Sequence, residues 1–104
     1  MQKKTNILIF PAGSEIGIEI FHSLKYSHHI NLFGASGKSD HAEFIYDENH
    51  YIENENLYIN NEQFIHYFNE LISNFKIEFI YPTHDDIANF LAKNQIHIKA
   101  KVIT

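Results

Sequence analysis

No cysteine occurs in the 104 residues. Disulfides and thiolate metal sites are thereby excluded, although the lack of thiols does not itself fix the redox compartment. No apolar run approaches the roughly 18 residues that a membrane-spanning helix needs. Lys3 and Lys4 precede only a short apolar segment, without the small-residue cleavage pattern of a signal peptide. A cytoplasmic protein with no membrane partner is the expectation. Positive charge is also short: 8 Lys and Arg stand against 13 Asp and Glu, a formal charge of −5. That balance gives no general attraction to nucleic acid, which is not an expected partner. Internal repeats and low-complexity linkers are absent as well.

What is present fits one small domain. A hydrophobic fraction of 44% with 14% aromatics suits a packed core. A chain of this length can bury one core but cannot hold a catalytic domain beside a cofactor domain. Residues 1–104 are therefore read as a single domain.

The pattern along the chain alternates between strand and helix. Asn6–Phe10 is a continuous apolar run with β-branched residues, as in a strand covered on both faces of a parallel sheet. Ser14 has the position of a helix N-cap, with Glu15 in the first turn. Ile16, Ile20 and Leu24 recur four apart, with Gly17 and Phe21 on the same stripe, which predicts a helix to about Tyr26 whose glycine allows close approach. Ile30–Ala35 is a second strand, followed by a loop through Ser39 and Asp40. Glu43–Ile59 mixes short apolar pieces with polar stretches and reads as a surface excursion with one short strand at most. From Asn61 the helical period returns, with Phe64, Phe68, Leu71 and Phe75 on one face beside Ile65 and Ile72. Asn60 or Asn61 is its expected cap and Glu62 falls in its first turn. Ile77–Tyr81 is a strand ended by Pro82. A short helix from about Asp85 turns Ile87, Phe90 and Leu91 inward, and Ile98–Ile103 closes the chain as a strand. Such alternation predicts the α/β class, a mainly parallel sheet with helices on both faces and right-handed crossovers.

In a sheet of this kind ligands bind beyond the carboxyl ends of the strands. Three segments emerge there: Pro11-Ala12-Gly13-Ser14-Glu15, Ala35-Ser36-Gly37-Lys38 and Pro82-Thr83-His84-Asp85-Asp86. The first has the location of a dinucleotide loop, but in the G-x-G-x-x-G register ending at Gly17 the other two positions hold Ser14 and Ala12. Gly13 is out of register. An acidic residue should also end the second strand to hold a ribose hydroxyl; Phe33-Gly34-Ala35-Ser36 stands there, and Asp40 is already in the loop. Gly13 and Ser14 still expose amides at a helix start, an anion-binding arrangement, whereas Glu15 opposes a phosphate. Both the turn reading and the ligand reading stay open.

The third segment is chemically the densest. A hydroxyl, an imidazole and two carboxylates meet at a helix start and can bind a polar ligand. Alternatively, Thr83 or Asp85 caps the helix and the acidic pair complements its dipole. Of eight histidines, only His84 with Asp85 and Asp86 forms a local cluster. No H-x-x-x-H pair lies on a helix, so no metal site is expected. No aspartate ends the first strand or the strand before Pro82, which argues against a receiver-type phosphoacceptor.

NILIFPAGSEIGIEIFHSLKY, a second strand leading to GAS, and then FIYPTHDD followed by a helix and KAKVI resemble the amino-terminal pre-ATP-grasp domain of ATP-grasp enzymes. The resemblance is to members described as carbamoyl-phosphate-synthase large-subunit-like, or carboxylate–amine ligases. It covers nearly the whole chain and is most specific at the F-P-x-G-x-E-I-G and I-Y-P-x-H-D-D turns. It implies a Rossmann-like, three-layer αβα sandwich that forms one wall of a substrate cleft. ATP and magnesium would be held by carboxyl-terminal ATP-grasp lobes of the same protein, beyond Val102 and Ile103, so that this chain binds no cofactor and is inactive alone. The implied reaction is phosphorylation of a carboxylate by ATP and attack of an amine on the acylphosphate. The implied substrate-binding residues are Pro11, Gly13, Ser14, Glu15, Pro82, Thr83, His84, Asp85 and Asp86, facing a small-molecule carboxylate or amine. The alternative is a free-standing Rossmann-type nucleotide- or dinucleotide-binding module.

Overall fold

The computed structural model describes residues 4–38 and 41–103. Lys3, Ser39 and Asp40, named above, lie outside them. Five strands form one all-parallel sheet: β1 (Thr5–Phe10), β2 (Ile30–Ser36), β3 (Tyr51–Glu53), β4 (Phe79–Pro82) and β5 (Lys101–Val102), in the spatial order β3-β2-β1-β4-β5. Three α-helices, α1 (Glu15–Leu24), α2 (Phe64–Phe75) and α3 (Asp85–Lys93), complete an α/β, Rossmann-like sandwich.

Alternation along β1 assigns the two faces. Leu8 and Phe10 join Phe33, Ile80 and Val102 in a core with α2 and α3. Ile7 and Ile9 face the other way, with Leu32, against α1, Ala42 of the 3₁₀ segment His41–Phe44 and Tyr46 just after it. Connections running toward β3 thus pass over one face and those running toward β5 over the other, the arrangement that crossovers of one hand produce. Aromatic rings concentrate under α2. Phe64 and Phe68 stack at 4.9 Å, and Phe10 meets them at 5.8 and 5.3 Å. The last residue of β1 is therefore anchored in the core, and the turn that follows starts from a fixed point.

Several predicted boundaries move. α1 stops at Leu24 rather than Tyr26, and Ile16, the first residue of its stripe, is 53% exposed. α2 begins at Phe64, so Glu62 lies before the helix; Asn61 Oδ1 accepts from the Gln63 amide at 2.8 Å and makes a local turn instead of a cap. β4 includes Pro82, which needs no donor because it pairs at the strand's last position, opposite Phe10. The predicted strand Ile98–Ile103 shortens to Lys101–Val102. A 3₁₀ turn occupies Gln95–His97, and the Gln95 side chain donates to Ala100 O and accepts from Val102 N, both at 2.8 Å. Phe44–Tyr46 is not a strand; the excursion from Glu43 to Ile59 contributes β3 alone.

Candidate functional site

β1 and β4 are neighbours in the sheet, yet their connections leave in opposite directions. Their carboxyl ends therefore open into the crevice where such folds hold ligands. The two turns singled out in the sequence meet here. Thr83 N donates to Phe10 O at 3.0 Å, extending the β1–β4 ladder into the turns. Beyond it lies a chain of side-chain bonds. The Gly17 amide donates to Ser14 Oγ at 3.0 Å, Ser14 donates to Thr83 Oγ1 at 2.8 Å, and Thr83 donates to Pro11 O at 2.8 Å. Each hydroxyl has one proton, so Pro11 O, at 3.3 Å from Ser14 Oγ, is only the longer alternative for the Ser14 proton. Chains of this kind strengthen one another where water is excluded, and Thr83 is 4% exposed.

This geometry fixes the roles of the caps. Ser14 caps α1, as the sequence predicts. Neither Thr83 nor Asp85 caps α3: His84 occupies the N-cap position without a side-chain cap bond, and the Thr83 hydroxyl is turned toward the first loop. Gly17 is required by contact. A Cβ there would stand 2.7 Å from Ala12 O and 2.9 Å from Pro11 O. The glycine that ends the incomplete fingerprint serves the packing of α1 on the turn, and the amide of Ala12 is tied to Ala35 O at 2.9 Å.

Beside the laced turns is a cavity of about 580 Å³, within the range of small-molecule sites. Pro11, Gly13, Ser14 and His84 line it, as do Ser36, Gly37 and Lys38 from the end of β2. Pro82 and Thr83 support the rim from behind. Glu15, Asp85 and Asp86 are exposed and are not among the lining residues. The predicted set is thus gathered at one edge of the sheet but divided: two hydroxyls are engaged with each other, four residues reach the cavity, and three carboxylates stand outside it. The far wall, Leu57–Asn60, was not anticipated. Its signal is a short apolar triplet, Leu57-Tyr58-Ile59, between asparagines in the polar excursion. Tyr58 lies over Gly37, where an added Cβ would come within 2.8 Å of its ring.

At the first turn the Ser14 hydroxyl is engaged with Thr83, Gly17 is packed closely against the Pro11 and Ala12 carbonyls, and Glu15 opens the helix. β2 ends on Ser36, with no carboxylate at its tip. Among the described residues no three His, Asp or Glu side chains gather closely enough to hold a metal ion, and no helix is long and apolar enough to cross a membrane. Comparison with known protein families, with curated proteins and with solved structures gives no match.

Proposed function

We propose that this chain is the amino-terminal, Rossmann-like wall of the substrate cleft in an ATP-dependent carboxylate–amine ligase of the ATP-grasp type, similar to the carbamoyl-phosphate synthase large subunit. One observation carries the reading: the two turns on which the resemblance rests, 69 residues apart from Ser14 to Thr83, are hydrogen-bonded to each other at the rim of a ligand-sized cavity. A turn whose hydroxyls bond one another is a rigid positioning surface and not a phosphate cradle. In this reading nucleotide and magnesium belong to carboxyl-terminal lobes of the same protein, in the cytoplasm. The chain's own part is to hold the acceptor, through Pro11, Gly13 and His84 at the cavity wall, with Asp85 and Asp86 at its outer edge. Its contribution to rate is then one of proximity and orientation.

The test is steady-state kinetics of the complete enzyme carrying His84→Ala, Asp85→Ala or Asp86→Ala. At least one replacement should lower kcat/KM for the acceptor by about tenfold or more, about 1.4 kcal/mol of transition-state binding. Affinity for ATP and the melting temperature should barely move. Unchanged acceptor kinetics in all three would remove this turn from the site.

A further inference from the structure

Resting on the reading of this cleft as an acceptor site, we propose that its ligand is a carboxylate with an apolar, flat or branched body: the body packs between Phe10, Leu57, Ile59 and Ile87 under Tyr58, and the carboxylate faces Lys38. The argument begins with charge. The chain carries 13 acidic residues against 8 basic ones, yet no carboxylate of the described residues lines this cavity, while one lysine does. Asp85 and Asp86 stand at the outer edge and not on the lining, so Lys38 is the permanently charged side chain that a ligand meets at the cavity wall, and it favours a negative group there. His84 adds to the lining an imidazole that can donate a hydrogen bond.

The body of the ligand follows from the walls. Phe10 and Leu57 line the cavity but are almost fully buried, whereas Ile59 and Ile87, half-buried against the same core, keep apolar surface on its lining. A small polar acid would leave this surface wet, whereas an apolar body covers it at roughly 25 cal/mol for each Å² removed from water. Tyr58 completes the shape. It is 44% exposed although its ring rests on Gly37, so one ring face is held and the other is free to lie on a planar group. Size agrees as well: about 580 Å³ is more than a simple acid such as acetate can fill.

The experiment uses ¹H–¹⁵N spectra of the chain titrated with 3-phenylpropanoate, phenethylammonium, 3-phenylpropan-1-ol and succinate. The acid should shift the amides of Gly13, Gly37, Lys38, Tyr58 and His84, and should bind about tenfold or more tightly than the ammonium ion or the alcohol. Lys38→Gln should remove that preference and leave the weak response to the alcohol unchanged. Equal binding of acid and ammonium, shifts confined to another surface, or an unchanged preference in Lys38→Gln would each overturn the inference. A response to succinate or phenethylammonium in the cavity without one to 3-phenylpropanoate would overturn it while leaving the ligase reading standing. Binding of the acid together with NAD in the same cavity would uphold it and fail the ligase reading.

Discussion

Gly17→Ala sets two physical effects against each other. Alanine is better than glycine inside a helix by about 1 kcal/mol, and Gly17 lies in the first turn of α1. On propensity alone the variant should be stabilised. The packing opposes this, because the new Cβ would sit 2.7 Å from Ala12 O and 2.9 Å from Pro11 O. These are backbone atoms and cannot rotate aside, and carbon–oxygen approach is ordinarily about 3.3 Å or more. Relief requires α1 to retreat by about half an ångström, and the Gly17 N–Ser14 Oγ bond of 3.0 Å lies along that path. Overpacking costs about 1–3 kcal/mol and weakening the cap about 0.5–2 kcal/mol. Net destabilisation is therefore about 0.5–4 kcal/mol, a fall in melting temperature of about 2–30 °C for a domain of this size. Calorimetric or circular-dichroism melting measures it, with Ser23→Ala, exposed on the same helix, as the control that should gain a few tenths of a kcal/mol from propensity. A rise in melting temperature for Gly17→Ala, matching the control, would refute the claim that this glycine seats the helix on the turn.

Thr83→Val keeps the shape of the side chain but removes the link between Ser14 and Pro11 O; urea unfolding should show a loss of about 1–3 kcal/mol, largely restored in Thr83→Ser. Gly37→Ala presses on the far end of an exposed tyrosine, so stability should change by less than about 0.5 kcal/mol while the Tyr58 ring resonances shift; unmoved resonances would contradict the contact. Lys76, the C-cap of α2, has φ of 54° in the left-handed region, and Lys76→Gly should raise stability by about 0.5–1 kcal/mol in the same urea assay.

Much of this architecture is legible because periodicity is a local signal. β1 and β2 are read from continuous apolar runs, and the buried face of α2, with Phe64, Phe68, Leu71 and Ile72, from its spacing. What escapes the sequence depends on bonds between distant or competing groups. Asn61 carries the chemistry of a cap but uses it on Gln63, so the helix starts later than its asparagines suggest. β5 pairs with β4 only at Lys101 and Val102, and the Gln95 side chain takes the outer-edge groups of Ala100 and Val102 that a further strand would have used. In the site, the locations of both turns follow from strand ends, yet the division of labour within them does not. Thr83 looks like a cap until the β1–β4 register brings Pro11 O within 2.8 Å of it. Tyr58 is invisible as a wall because nothing in its loop repeats, and only the tertiary contact with Gly37 gives it a place.

The central claim, that this domain positions a small acceptor and does not itself hold a nucleotide, is tested most directly by isothermal titration of the chain with ATP, NAD and NADP. The laced Ser14–Thr83 turn, the filled space at Gly17 and Glu15 at the start of α1 predict no saturable heat with any of the three at micromolar concentrations. Micromolar or tighter binding of NAD or NADP would contradict the account and establish the chain as a dinucleotide-binding module.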